Sequence, residues 1–337
     1  MKLKPTLNML ASGQLPLAIK LLGSANEFYR VAFVSTAVKE GIYDLMAGGP
    51  VRLEALAEAL NPACDREALR TWLDLGVSLG ELRRGFRGYA IKGRFSRAVM
   101  HGDRDAYRAL LQEVTELHYD YIVNGPALLK RGELHAFPES YGELIARSSR
   151  IGEPFILDVV EDFVPRSGDF KLLEVGCGSG IYLKHACRLN PRLTATGLEL
   201  QPHVADFARG NLKAWGLEGR VEIVVGDVRE WSDESGYDLV TLHQNIYYFP
   251  VDTRVELARR LMAFLRPGGK LVLTSGSKGG SPMMHALDIC SAMTDGLGPL
   301  PEPGELQRQL KQAGFVAVQA ENLIPLDSFC VYQATKP

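Results

Sequence analysis

The chain has 337 residues, 46% of them hydrophobic and 23% charged, with a net charge of −2. That length suits two domains of ordinary size, and the composition excludes a disordered chain. The near-neutral charge offers no general attraction to nucleic acid or anionic membranes, and no apolar run reaches the ~18 residues of a membrane helix.

In chain order, the residues up to about Val164 read as helical. The first twenty have no small-residue cleavage site behind an apolar core, so no signal peptide is expected. "ANEFYRVAFVSTAVKEGIYDLM" carries apolar positions at helical spacing and is expected to stop near Gly41. "VRLEALAEAL" and "DREALRTWLDLGVSLG" predict two short amphipathic helices, the second ending at Gly80, and "ELRRGFRGYAIKG" predicts a hairpin around Gly85 and Gly88. Three short helices and a hairpin make a winged-helix pattern, expected to form a domain over 1–100. Residues 101–165 are again helical and rich in aromatics, among them Tyr141 and Phe155. They are expected to form a linker, closing at "VPRSGD".

Over 166–337 the pattern becomes strand–helix alternation. Strands are expected at "KLLEV", "LTATGLEL", "VEIVVGD", "YDLVTLH", "KLVLTS", "FVAVQAENL" and "SFCVYQATK". Helices are expected at "GIYLKHACRL", "PHVADFARGNLKAWG", "DTRVELARRLMAFL" and "PGELQRQLKQAG". In the third helix Leu257, Leu261 and Leu265 form one stripe to lay on a sheet. This predicts an α/β fold with a parallel sheet covered on both faces, its last two strands pairing as an antiparallel hairpin. The five cysteines form no C-x-x-C pair, which points to a reduced, cytoplasmic protein, and the seven histidines show no metal-ligand spacing.

The chemistry is concentrated at three predicted strand ends. In "FKLLEVGCGSG", Glu174 precedes Gly176, Cys177, Gly178 and Gly180. Ligands of such sheets bind outside the carboxyl ends of the strands. Ile181 breaks the G-x-G-x-x-G of a dinucleotide site. Glu174 would also repel a pyrophosphate by about 4 kcal/mol at ~4 Å and an effective dielectric of ~20. A ligand with an ammonium group would gain a similar amount. Glu199 lies nineteen residues past Gly180, where an acid can take both ribose hydroxyls. Asp227, closing "VVGDV", can accept from an exocyclic adenine amine, with Val228 against the ring. An amine, a ribose and an adenine together describe S-adenosylmethionine.

The half from Phe170 to Pro337 resembles the class I S-adenosylmethionine-dependent methyltransferases. The motifs are "LLEVGCGSG", "GLEL", "VVGDV", "YDLVTLH" and "LRPGGKLVL", in that family's order. The resemblance implies a Rossmann-like sheet of seven strands, with Leu200 and Gln244 joining the cofactor contacts. The first half, above all "AVKEGIYDLMAGGPVRLEALAEAL", is similar to the dimerising winged-helix region of the small-molecule O-methyltransferases. A homodimer that methylates a small-molecule acceptor at a hydroxyl is the expectation.

In the resembled enzymes a histidine after the fourth strand is the base. Here "HQNIYYFPVD" puts Tyr247 at that position, Tyr248 at the following acid, Phe249 at the tryptophan and His243 at the usual basic residue. Candidates for the chemistry are therefore Tyr247, His243 and His285, with His243 also a cofactor contact. The expected substrate walls are His118, Tyr119, Tyr121, Tyr247, Met284 and His285. An acceptor with its own lone pair, a thioether, thiol or amine, is the alternative that needs no base. A nucleic-acid-binding regulator using the basic hairpin of Arg83, Arg84 and Arg87 is the alternative of another class.

Overall fold

The structure of the chain is a computed structural model, which describes residues 3–137, 139–325 and 327–337. The chain divides into two compact units: Met1–Tyr119 with Tyr141–Ser149, and Asp120–Ser140 with Arg150–Pro337. The helical segment between the two predicted domains is thus shared between the units.

The first unit is built on the helix Gln14–Lys39. It starts well before the expected "ANEFYRV" stretch, and Pro16 is tolerated because first-turn amides have no intrahelical acceptor. Only its second half buries residues, with Phe33, Val34 and Ala37 entering a core shared with Tyr43, Leu56 and Leu73. Arg66–Ser78 is capped by Asp65, whose carboxylate accepts from the Glu67 and Ala68 amides at 2.9 Å. Strands β1 (Leu82–Gly85) and β2 (Gly88–Ile91) form the expected hairpin.

The second unit carries a seven-stranded sheet. Its strands are β3 (Phe170–Val175), β4 (Leu193–Glu199), β5 (Val221–Val225), β6 (Tyr237–His243), β7 (Leu265–Gly276), β8 (Val316–Asn322) and β9 (Phe329–Thr335). They lie in the order β5-β4-β3-β6-β7-β9-β8. Strands β3 to β7 run parallel, and β9 is antiparallel to both its neighbours. The predicted α/β class and terminal hairpin are therefore as found.

Alternation along the strands sends side chains to two cores. Leu173, Val175, Leu198 and Leu242 face the helices Arg254–Phe264 and Glu305–Ala313. Leu172, Ala195, Ile223 and Leu239 face Glu153–Phe163, Ile181–Leu189 and Pro202–Ala214. Leu257, Leu261 and Leu265 are all buried, yet Leu265 has already left the helix to begin β7. A further helix, Pro282–Ala292, follows β7; Ser281 caps it and Pro282 occupies its first turn. Among the described residues no helix is long and apolar enough to cross a membrane.

Candidate functional site

The chain leaves β3 for one neighbour, β4, and returns for the other, β6, so a crevice opens at the carboxyl ends of these strands. The turn after β3 fills its floor. Gly176, Gly178 and Gly180 have φ of +68°, +53° and +76°, a conformation that disfavours any side chain. The Gly176 amide donates to the Leu198 carbonyl at 2.7 Å, and the Cys177 amide to the same oxygen at 3.2 Å. A β-carbon on Gly176 would lie 2.2 Å from Asn245 Nδ2, whereas one on Gly178 would meet nothing within 4 Å. The first glycine is needed for close packing, while the second leaves open space for a ligand.

Around this turn stand the predicted acids. Glu174 is 1% exposed, and its Oε2 has no hydrogen-bond partner. Burial first, and then the Glu199 carboxylate, push its carboxyl well above the usual range. Glu199 is buried too, but its Oε2 accepts from the Gly178 amide and its Oε1 from the Gln201 amide, both at 3.1 Å. The Gly226 amide donates to the Glu199 carbonyl at 2.9 Å, which brings Asp227 to the same rim. Asp227 accepts from the Arg229 amide at 2.8 Å and from Arg229 Nε at 2.9 and 3.0 Å, and these bonds hold its carboxyl below the usual range. Leu200 is exposed at 58%. The Val228 side chain packs in the core with Leu198, Leu242 and Ile246. Cys177 is buried, and desolvation raises its thiol far above the usual range, so it is a loop residue and not a nucleophile.

At the end of β6, His243 is buried with its Nδ1 3.1 Å from Thr274 Oγ1 and its Nε2 without a partner. Desolvation lowers its pKa to about 3, so the ring is neutral at ordinary pH. The Tyr182 ring meets it edge-on at 5.1 Å. Gln244 follows with φ +55°, a strained conformation for a non-glycine residue, and its amide donates to the Thr274 carbonyl at 2.7 Å. Tyr247 is 8% exposed, its carbonyl accepts from the Gly298 amide at 3.0 Å, and its ring lies 5.1 Å from Tyr248. Phe137 closes on Tyr248 at 6.2 Å.

The remaining predicted wall residues divide between the two units. Tyr121 is buried in the second unit, where its hydroxyl pairs with Thr294 Oγ1 at 2.6 Å and its ring stacks on His135 at 3.9 Å. Met284 packs against Gly276, and His285 is exposed on the same helix. His118 and Tyr119 belong to the first unit. There His118 Nε2 lies 3.3 Å from Glu113 Oε1, and Tyr119 lies 5.8 Å from Phe28.

Asn245 and Tyr182 escaped the sequence reading. Asn245 Nδ2 donates to the Val175 and Gly176 carbonyls at 3.1 and 3.3 Å, tying the end of β6 to the glycine turn. Tyr182 occupies the first turn of the helix that follows the glycines. Their only signal was adjacency to residues already singled out.

The crevice combines two buried carboxylates, a bare main-chain turn and an orphaned acid oxygen. That donor set fits a nucleoside ligand with a positive charge and not a diphosphate. Comparison with known proteins agrees. Residues 172–269 match the methyltransferase domain family. The chain is 26% identical over 295 residues to demethylspheroidene O-methyltransferase of Rhodobacter capsulatus, spanning 82% of this chain and 72% of that protein. The structure of mitomycin 7-O-methyltransferase superposes with a TM-score of 0.81 at 18% identity, covering 97% of this chain and 100% of the other. Human N-acetylserotonin methyltransferase, in complex with S-adenosylmethionine, gives 0.71 at 19% identity over 95% and 97%. The chain thus carries a methyltransferase domain over residues 172–269 and is similar over most of its length to O-methyltransferases.

Proposed function

We propose that this enzyme methylates a hydroxyl oxygen of a small molecule, with Glu199 holding the cofactor ribose, Glu174 its ammonium and Asp227 its adenine amine. The observation that carries the reading is the Glu174–Glu199 pair, two buried acids that pair with no cation among the described residues, beside an open glycine turn. The oxygen acceptor is supported by the names of several relatives, which are O-methyltransferases. When bound, the cofactor supplies a methyl group already activated on a positive sulfur.

The chain's own task is then placement. His243 is a poor base for this purpose. With its pKa near 3, taking a proton from a phenol of pKa ~10 would run uphill by roughly 9 kcal/mol. Orientation of the acceptor against the methyl group supplies the rate instead, since well-held reactants gain up to ~7–11 kcal/mol. Tyr247 and Met284 serve as acceptor walls, and His285, exposed on the Met284 helix, as a contact at the rim. Calorimetric titration with S-adenosylhomocysteine and with NADH tests the cofactor assignment: the first is expected to bind and the second not. Transfer of labelled methyl to hydroxylated small molecules, with thioethers and amines alongside, tests the acceptor atom; labelling confined to thioethers or amines overturns the oxygen reading.

The first unit serves assembly. Leu17, Ile19, Leu21 and Leu22 are each about two-thirds exposed on the helix Gln14–Lys39, a density of bare apolar side chains that a monomer rarely leaves in water. A second copy of the chain is the partner they fit. Light scattering is expected to report a dimer, and Leu17→Glu with Leu21→Glu to yield monomers.

A further inference from the structure

Among the described residues, Glu174 has no counter-charge from the elements packed around it. From β4 comes Glu199, another acid, whose oxygens are taken by the Gly178 and Gln201 amides. The glycine turn contributes Cys177, a buried thiol, and the helix after it Tyr182, a half-buried phenol. From β6 come Thr241, in register with Glu174, and the neutral His243. Farther out, Arg150 pairs with Glu153 at 3.0 Å, and Arg209 with Asp206 at 2.7 Å. Among the described residues no lysine, arginine or histidine forms an ion pair with Glu174, and its Oε2 is sealed from water without a partner.

A carboxylate in such a place has one low-energy state, the neutral acid. Resting on the cofactor assignment above, we propose that Glu174 is protonated in the free enzyme and gives up that proton when the ammonium end of the ligand arrives, so that cofactor capture releases one proton to solvent. The O–H bond of the Glu174 carboxyl breaks, its proton passes to buffer, and the ligand's ammonium keeps all its own N–H bonds. His243 cannot be the source, because its ring is already in the neutral form at ordinary pH. Affinity for aminated ligands then falls as pH falls, while a nucleoside lacking the amino-acid end is indifferent.

Calorimetry on the full chain tests this with S-adenosylhomocysteine and with 5′-methylthioadenosine, which lacks the amino-acid end. Each is titrated in phosphate and in Tris, buffers whose heats of protonation differ widely. Near pH 7 S-adenosylhomocysteine is expected to release about one proton per chain, methylthioadenosine none, and Glu174→Gln none with either. Equal heats in both buffers for S-adenosylhomocysteine would falsify the proposal, as would an equal release with methylthioadenosine. Release that persists in Glu174→Gln would overturn it as well. The two-ligand comparison on the unaltered chain decides the matter even if the variant does not fold. Absence of any S-adenosylhomocysteine binding removes the cofactor assignment and this proposal together, whereas binding without release removes this proposal alone.

Discussion

Two neighbouring strand ends hold a buried titratable side chain with an orphaned polar atom: Glu174 on β3 and His243 on β6. Burial drives both to their neutral forms, and in doing so moves their pKa values in opposite directions. They differ in what stands opposite. Glu174 faces a second acid across a bare glycine turn, so an incoming cation can recharge it. His243 faces a threonine hydroxyl and a tyrosine ring, and nothing there calls for an imidazolium. The same desolvation thus prepares one group to exchange a proton with a ligand and leaves the other a neutral hydrogen-bonding wall.

Glu199 differs from both, because its two carboxylate oxygens accept from the Gly178 and Gln201 amides. Glu199→Ala removes the ribose partner and frees the Gly178 amide. Two hydrogen bonds to a charged group are worth ~1.5–3 kcal/mol each, so a loss of about 100-fold or more in S-adenosylhomocysteine affinity is expected. An unchanged affinity refutes the ribose assignment. Glu174→Gln comes next, with a loss of about tenfold in affinity from one charge-assisted contact. Its effect on the free enzyme has the opposite sign. An acid whose folded pKa is raised stays protonated where the unfolded chain would ionise, so the fold loses stability as pH rises from the unfolded pKa of ~4.3 towards the folded value. Glutamine has no such penalty. Melting of the ligand-free variant at neutral pH is expected at or above the wild-type temperature, and a clear fall contradicts the buried-acid picture.

Local chemistry was readable in advance, and the assembly of distant pieces was not. Strands β3, β4 and β6 declare themselves by apolar runs that stop at a glycine, an acid or a histidine, so the strand-end acids could be named by number. Val228 is expected against an adenine ring; its side chain is buried in the core, and its carbonyl accepts from Arg260 Nε at 3.0 Å. The early turns of Gln14–Lys39 passed unnoticed because their leucines point to solvent and mark no single buried stripe. The helix Pro282–Ala292 had its signal in the Ser281 cap and Pro282, but its weakly amphipathic face did not separate from a loop. Asn245 has meaning only once β6 lies beside β3, a long-range pairing that no local pattern encodes.

His243→Asn removes the buried group whose pKa moves in the other direction. A histidine whose folded pKa is lowered favours the neutral form, so it supports the fold above the unfolded pKa of ~6.5 and loses that support as pH falls towards about 3. The wild-type melting temperature is expected to drop on acidification more steeply than that of the variant, opposite in sign to the Glu174 effect. Parallel acid limbs would mean that His243 is not held neutral. Methyl transfer by the variant is expected to keep the wild-type pH dependence between about 6 and 9, since a ring already neutral has no ionisation there to report.

The smallest effect is reserved for Tyr247→Phe. The ring is packed in the core and its carbonyl is held by the Gly298 amide, so the substitution leaves the wall standing and removes only the hydroxyl. If that hydroxyl orients the acceptor, turnover is expected to fall by about three- to tenfold, the worth of one neutral hydrogen bond, with S-adenosylhomocysteine affinity unchanged. A matching loss in cofactor affinity would place Tyr247 on the cofactor side of the crevice. Unaltered turnover would assign its ring to packing, and the acceptor wall would then rest on Met284 and the neighbouring aromatic rings of Tyr248 and Phe137.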